Sequence, residues 1–153
     1  MNKKLFFSLC WILLSCQISN KTLDNKSSNY KDEQIVISLT KGICFGNCPV
    51  YKIEIFNNKK IVFEGKQFVD SIGTYKTMIN DSIFDNIINK SNFINFYTIK
   101  ENQFFNTYVR DLPTTKIKIH NNIVKYNEKP TQELLDLENE ISKIAINKGY
   151  ISE

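Results

Sequence analysis

The stretch Gly42-Ile43-Cys44-Phe45-Gly46-Asn47-Cys48-Pro49-Val50-Tyr51 limits what this chain can fold into more than any other. Four residues of extended strand span roughly 13 Å, whereas a disulfide needs Cα atoms about 4.4–6.8 Å apart. If Cys44 and Cys48 bond, the backbone between them must curl, and Gly46 and Asn47 are residues that turn readily. Pro49 has no N–H to pair and suits the first position of a strand. Closing so small a ring adds only about 2 kcal/mol through chain entropy, so the expected use of the bond is local shape. Two other states stay open on the residues alone. A redox-active pair is disfavoured by the C-x3-C spacing and by the hairpin pattern that follows, where a βαβ pattern would be expected. A metal site is disfavoured because His120 is the only imidazole.

Whether the two sulfurs bond depends on compartment, and the N-terminus bears on that. Met1 to Lys4 is short and basic, and residues 5–14 form an apolar run. The run is too short for a bilayer, which needs about 20 residues, but fits the apolar part of an export signal. It ends in Leu13-Leu14-Ser15-Cys16, which resembles the bacterial lipobox, with an ordinary cleaved secretory signal as the alternative reading. The expected organisation is a signal peptide over 1–15, a lipidated Cys16 with a flexible tether over 16–33, and one domain over 34–153. Acylation at Cys16 would give stable anchoring, since each buried CH₂ contributes about 0.8 kcal/mol. Gln17, in place of Asp, favours the outer membrane, with the domain facing the periplasm of a bacterial envelope. Residues 17–33 are polar and poor in apolar side chains. If flexible, they reach roughly 20–25 Å. Loss of Cys10 and acylation of Cys16 leave Cys44 and Cys48 in an oxidising compartment, where such a pair tends to bond.

Charge excludes one class of partner. The chain carries 20 basic and 16 acidic side chains, and Lys3 and Lys4 fall in the signal. The remaining excess is small and scattered along the sequence, so no nucleic-acid partner is expected.

Alternation and helical spacing give the elements. A strand is expected over Gln34 to Leu39. Tyr51 to Phe56 alternates, Asn57-Asn58-Lys59 turns, and Ile61 to Glu64 returns to Gly65. Gly73 to Ile79 reads as another strand. Asn80 or Asp81 can cap a short helix over 81–90, with Ile83, Phe84, Ile87 and Ile88 on one face. Phe93-Ile94-Asn95-Phe96-Tyr97 is expected to pack in the core, and 98–113 reads as a long loop. Thr115 to His120 alternates, Asn121-Asn122 turns, and Ile123 to Tyr126 returns. Pro130 and Thr131 open a last helix striped by Leu134, Leu137, Ile141, Ile144 and Ala145, with Gly149 as its stop. Lys52-Ile-Glu-Ile-Phe-Asn-Asn58 parallels Lys116-Ile-Lys-Ile-His-Asn-Asn122, by duplication or by the Asn, Ile and Lys bias of the chain. The expected class is α+β: an antiparallel sheet of two hairpin–helix units, with the helices on one face.

The pattern Gly-x-Cys-x-Gly-x-Cys-Pro-x-Tyr over 42–51 also resembles an uncharacterised family of small bacterial lipoproteins and exported domains, a domain of unknown function. The likeness runs from about Ile35 to the last helix. It takes in the hairpin ending at Gly65, Gly73-x-Tyr75, the Phe-rich segment after the first helix, and Asp111-Leu112-Pro113. It implies a fold and a compartment and no activity.

No phosphate loop, nucleophile elbow or zincin motif is present, and no cofactor or metal is expected. His120 reads as a solvent-facing strand residue rather than a general base. Arg110 is the sole arginine, and beside Asp111 its planar fork can tie the loop to a carboxylate or meet a partner. Phe104, Phe105 and Tyr108 can line a contact surface with Arg110 and Asp111, or lie beneath the loop. The functional expectation is a non-enzymatic binding or structural module, held to the lipid bilayer at Cys16 and meeting an envelope protein. The alternatives are a thiol–disulfide protein using Cys44 and Cys48, and an inhibitor of a secreted enzyme with the rigid turn as its wedge.

Overall fold

A computed structural model describes residues 32–107 and 111–152. The expected signal peptide, the lipidation site at Cys16 and nearly all of the tether lie outside the described residues, as do Tyr108 and Arg110.

Six strands form one antiparallel sheet: β1 (Ile35–Lys41), β2 (Val50–Phe56), β3 (Lys60–Gln67), β4 (Gly73–Met78), β5 (Thr115–Ile119) and β6 (Asn122–Tyr126). Helix α1 (Asp81–Phe93) follows β4, and helix α2 (Gln132–Asn147) follows β6. The strand order is β4-β3-β2-β1-β5-β6, so β1 lies inside the sheet with β2 on one side and β5 on the other. Strand β1 runs two residues past the expected Leu39, because Thr40 and Lys41 pair with both neighbours.

Strand alternation places Ile37, Leu39, Ile53, Ile55, Ile61, Phe63, Ile117, Ile119 and Val124 on one face, all essentially inaccessible. The same cluster takes in Ile87 of α1 and Leu134, Leu137, Ile141, Ile144 and Ala145 of α2. Both helices therefore cover this face. The apolar stripe expected for α2 is the buried stripe that forms.

The sheet comprises a four-stranded meander ending in α1 and a hairpin ending in α2, in place of two equal hairpin–helix units. The repeated sequence does occupy matching registers. Ile37 faces Ile55 and Ile119, and Leu39 faces Ile53 and Ile117. But β2 and β5 run in the same direction with the same face buried, while their return strands lie on opposite lateral sides. No rotation superposes two hairpins of opposite lateral sense without turning the isoleucines of one to solvent. The two similar stretches meet the same central partner, β1, at matching registers.

Helix boundaries follow capping chemistry. The Asn80 side chain accepts a hydrogen bond from Ile83 N at 2.9 Å and starts α1. The helix runs one turn past the expected 90, to Phe93, and Asn95 at φ +52° then turns the chain out. That extra turn changes the reading of the aromatic segment. Phe96 is fully buried, whereas Phe93 is 83% exposed, because it lies on the outward side of the last helical turn. Thr131 caps α2. At its other end Gly149 has φ +67°, its N–H reaches Ile146 O at 2.8 Å, and the Tyr150 N–H reaches Ala145 O at 2.9 Å, a Schellman stop. Tyr150 then stacks on Phe63 and Tyr75, with ring centroids 4.8 and 5.1 Å apart.

The 98–106 part of the long loop lines the free edge of β6. Lys125 N donates to Glu101 O at 2.6 Å, Phe104 makes an isolated bridge to Tyr126, and Asn127 N donates to Phe104 O. A covered edge offers no row of free backbone groups to other chains.

Candidate functional site

Strands β1, β3 and β6 end, and β2, β4 and β5 begin, at the same end of the sheet. That end gathers the cysteine turn, the β3–β4 connection and the segment before β5. Cys44 and Cys48 lie at disulfide distance, with Cα atoms 5.9 Å apart. Gly46 has φ +149° and its N–H donates to Cys44 O at 3.1 Å. An L side chain rarely adopts that backbone conformation, so glycine is needed at the apex. The turn is pinned to the neighbouring segment by two backbone bonds, Gly42 N to Thr114 O at 2.7 Å and Phe45 N to Asp111 O at 3.1 Å. A Cβ on Gly42 would come within 3.1 Å of the Thr114 carbonyl oxygen, so a side chain there would push the two segments slightly apart.

Covalent closure and pinning leave two large apolar side chains in solvent. Phe45 is 89% exposed and Ile43 71%, and Leu112 beside them is 45% exposed. A hollow of about 320 Å³ next to the turn is lined by Ile43, Val50, Lys52 and Lys66 among others. Both cysteines are half-buried.

Beneath the turn lies a buried polar network. The Lys41 ammonium donates to Thr115 Oγ1 at 2.9 Å and to Glu138 Oε1 at 2.5 Å. Tyr126 donates its phenol proton to the other carboxylate oxygen, Oε2, and also hydrogen-bonds Thr115. Tyr51 and Ser142 share a hydrogen bond of 3.1 Å. Burial pushes the Tyr126 phenol well above its ordinary range, and the Glu138 charge adds to the shift. Burial likewise raises Tyr51. Both carboxylate oxygens of Glu138 are occupied, so the group holds β1, β6 and α2 together.

Of the residues singled out from sequence, Asp111 reaches this end: its carbonyl accepts from Phe45, and its side chain is exposed. Phe104 packs against the core and faces a different hollow of about 370 Å³ with Phe93, Ile99 and Thr131. The ring of Phe105 lies 4.0 Å beneath the Lys125 ammonium. His120 is exposed in the β5–β6 turn at φ +50°, its ring stacked on Tyr97. Sequence reasoning passed over Ile43 and Phe45, treating the turn as a shape, and missed the Lys41–Glu138 network. A signal for the network was present. Lys41 continues the inward series Ile37, Leu39, and Glu138 sits inside the apolar stripe of α2, four residues from Leu134. Opposite charges at two core-facing positions require a mutual partner.

No group of three His, Cys, Asp or Glu side chains among the described residues is placed to hold a metal ion. No helix among them is long and apolar enough to cross a membrane. The chain matches no curated protein. The family model described as Domain of unknown function (DUF6438) matches residues 35–145, well over half of the chain and all six strands, and the chain belongs to that family.

Proposed function

We propose that this chain is a bacterial envelope lipoprotein, anchored in the outer membrane through acylated Cys16, whose folded domain is a non-enzymatic contact module. The contact surface is the disulfide end of the sheet, and its occupant is another envelope protein. One observation carries this reading: a covalently closed turn, tied by two backbone bonds, holds Ile43 and Phe45 out in water. Exposing such side chains on an ordered turn costs solvation, and a rigid aromatic anchor loses little entropy on binding. Asp111, whose carbonyl accepts from Phe45 and whose side chain is exposed, extends the surface beside Leu112.

A second reading follows from the same apex. Phe45 projects as a single wedge from a fixed loop, the shape expected of an inhibitor that fills an apolar cleft of a secreted enzyme. A thiol–disulfide role draws less support, since the half-buried cysteines sit in a turn whose two backbone ties shape it for contact.

The test is the Phe45→Asp variant of the full chain, extracted from membranes in mild detergent. The native chain should elute in an assembly larger than itself, and Phe45→Asp should elute alone. Phe93→Asp, which changes an equally exposed ring on α1, should stay in the assembly. Loss with both variants, or with neither, refutes the assigned surface.

A further inference from the structure

The charge that is scattered along the sequence is gathered in space. The sheet face opposite the helices carries Lys116, Lys118 and Lys125 from β5 and β6, and Lys52, Lys60 and Lys76 from β2 to β4, with Lys66 reaching Glu64 from a bulge at the end of β3. Two carboxylates share those strand positions, Glu54 and Glu64. They pair with Lys52 and Lys66, and Glu33 pairs with Lys60. Lys116, Lys118 and Lys125 have no carboxylate partner among the described residues. Lys116 and Lys125 lie directly opposite each other across the β5–β6 ladder, an arrangement that disfavours the isolated sheet. A fold that keeps like charges in register on a face that neither helix among the described residues covers gains when an anionic surface comes against it.

We propose that this lysine face rests on anionic phospholipid headgroups. The inference builds on the lipid anchor of the functional reading, which holds the domain within a short distance of a bilayer. Three features of the face fit an extended anionic surface better than a folded partner. The cations are spread over five strands, and of these only Lys52 and Lys66 reach the hollow beside the turn. They are all lysine, a mobile point charge, with no planar guanidinium to read a particular phosphate or base. The long apolar residues of the turn project at the end of the sheet, where a protein partner can meet them while the face is occupied. Docking of this kind acts only within a Debye length, about 8 Å at physiological salt.

The test is amine footprinting of the full chain, as isolated from membranes, reconstituted in phosphatidylcholine vesicles with and without phosphatidylglycerol. A membrane-impermeant acylating reagent modifies lysines, and mass spectrometry reads the rate at each. With about 30% anionic lipid, Lys116 and Lys118 should label about fivefold more slowly than in neutral vesicles. Lys143 and Lys148, exposed at the far side on and after α2, should not change. The protection should vanish in about 0.5 M salt. In Lys116→Glu/Lys118→Glu, protection of Lys76 and Lys125 should be lost as well. Equal rates in the two vesicle compositions overturn the proposal, as does slowing that extends to Lys143 and Lys148. Protection of the face by polyglutamate as strong as that by anionic vesicles would assign the surface to a soluble polyanion and also overturn it. Intact mass of the same sample reports Cys16 acylation separately. A protected face on an unacylated chain sinks the anchor and keeps the docking, and an unprotected face on an acylated chain does the reverse.

Discussion

Two lysine–glutamate pairs sit on opposite faces of one sheet. Lys41 and Glu138 meet on the helix side, 97 residues apart in sequence, with side chains 22% and 11% exposed. Lys52 and Glu54 meet on the open side, two residues apart on one strand. The chemistry is the same and the consequence differs. On the open face water can replace either partner, and the pair contributes little. On the helix face the carboxylate is the more shielded partner, and losing either one strands the other in a layer only partly open to water. The buried pair therefore fixes where α2 crosses the strand ends, and so fixes the platform on which the cysteine turn stands. The open pair belongs to a surface whose charges remain free to act outward.

Five tests sharpen that contrast. Glu138→Ala should destabilise the fold by about 3 kcal/mol, read by denaturant unfolding, because Lys41 and Tyr126 both lose the carboxylate they donate to and keep only Thr115. Lys41→Met with Glu138→Leu should recover most of that loss, since a packed apolar pair needs no partner. A double variant as unstable as the single one would show that packing, not charge, is at stake. Replacing both Cys44 and Cys48 by Ser should cost about 2 kcal/mol. The amide of Phe45 should then exchange faster by a larger factor than that of Ile53, whose exchange follows global stability alone.

Alkaline pH should act next. Tyr126 and Tyr51 have folded pKa values raised above the unfolded value near 10.0. Their contribution is thus complete below pH 10 and is lost as pH rises above it. Each phenol that stays protonated in the fold steepens the loss by about 1.4 kcal/mol per pH unit. Tyr126→Phe should flatten the slope above pH 10, and an unchanged slope would remove this phenol from the account. Lys52→Ala should change stability by no more than about 0.5 kcal/mol. A loss equal to that of Glu138→Ala would erase the distinction between the faces.

The strands were legible because one face is apolar throughout. Ile53, Ile55, Ile117 and Ile119 alternate with charged residues, and each strand could be placed within a residue or two, save that β3 runs past the expected stop at Gly65 to Gln67. The stop of α2 was legible at Gly149, where backbone chemistry permits few substitutes. Three things were not legible. The lateral sense of a hairpin leaves no mark in its own alternation, so two similar stretches suggested a repeat that the sheet does not contain. The outward turn at Asn95 depends on a left-handed residue after the helix, so Phe93 read as core although it faces water. Net charge is a sum over the sequence and says nothing about which face of a strand each lysine occupies. At the disulfide end, spacing gave the turn. What the turn presents, Ile43 and Phe45, became evident only once the segment beside it was seen to hold it open.

The central claim is that the disulfide-closed turn is a surface built for contact with another protein. Site-specific photocrosslinking in intact cells tests it most directly, with the reactive group placed at position 45 and, as a control, at position 93. The account predicts one discrete protein adduct from position 45, abolished when Ile43 is changed to Asp, and none from position 93. Adducts from position 45 that are confined to lipid, or identical from both positions, would contradict it.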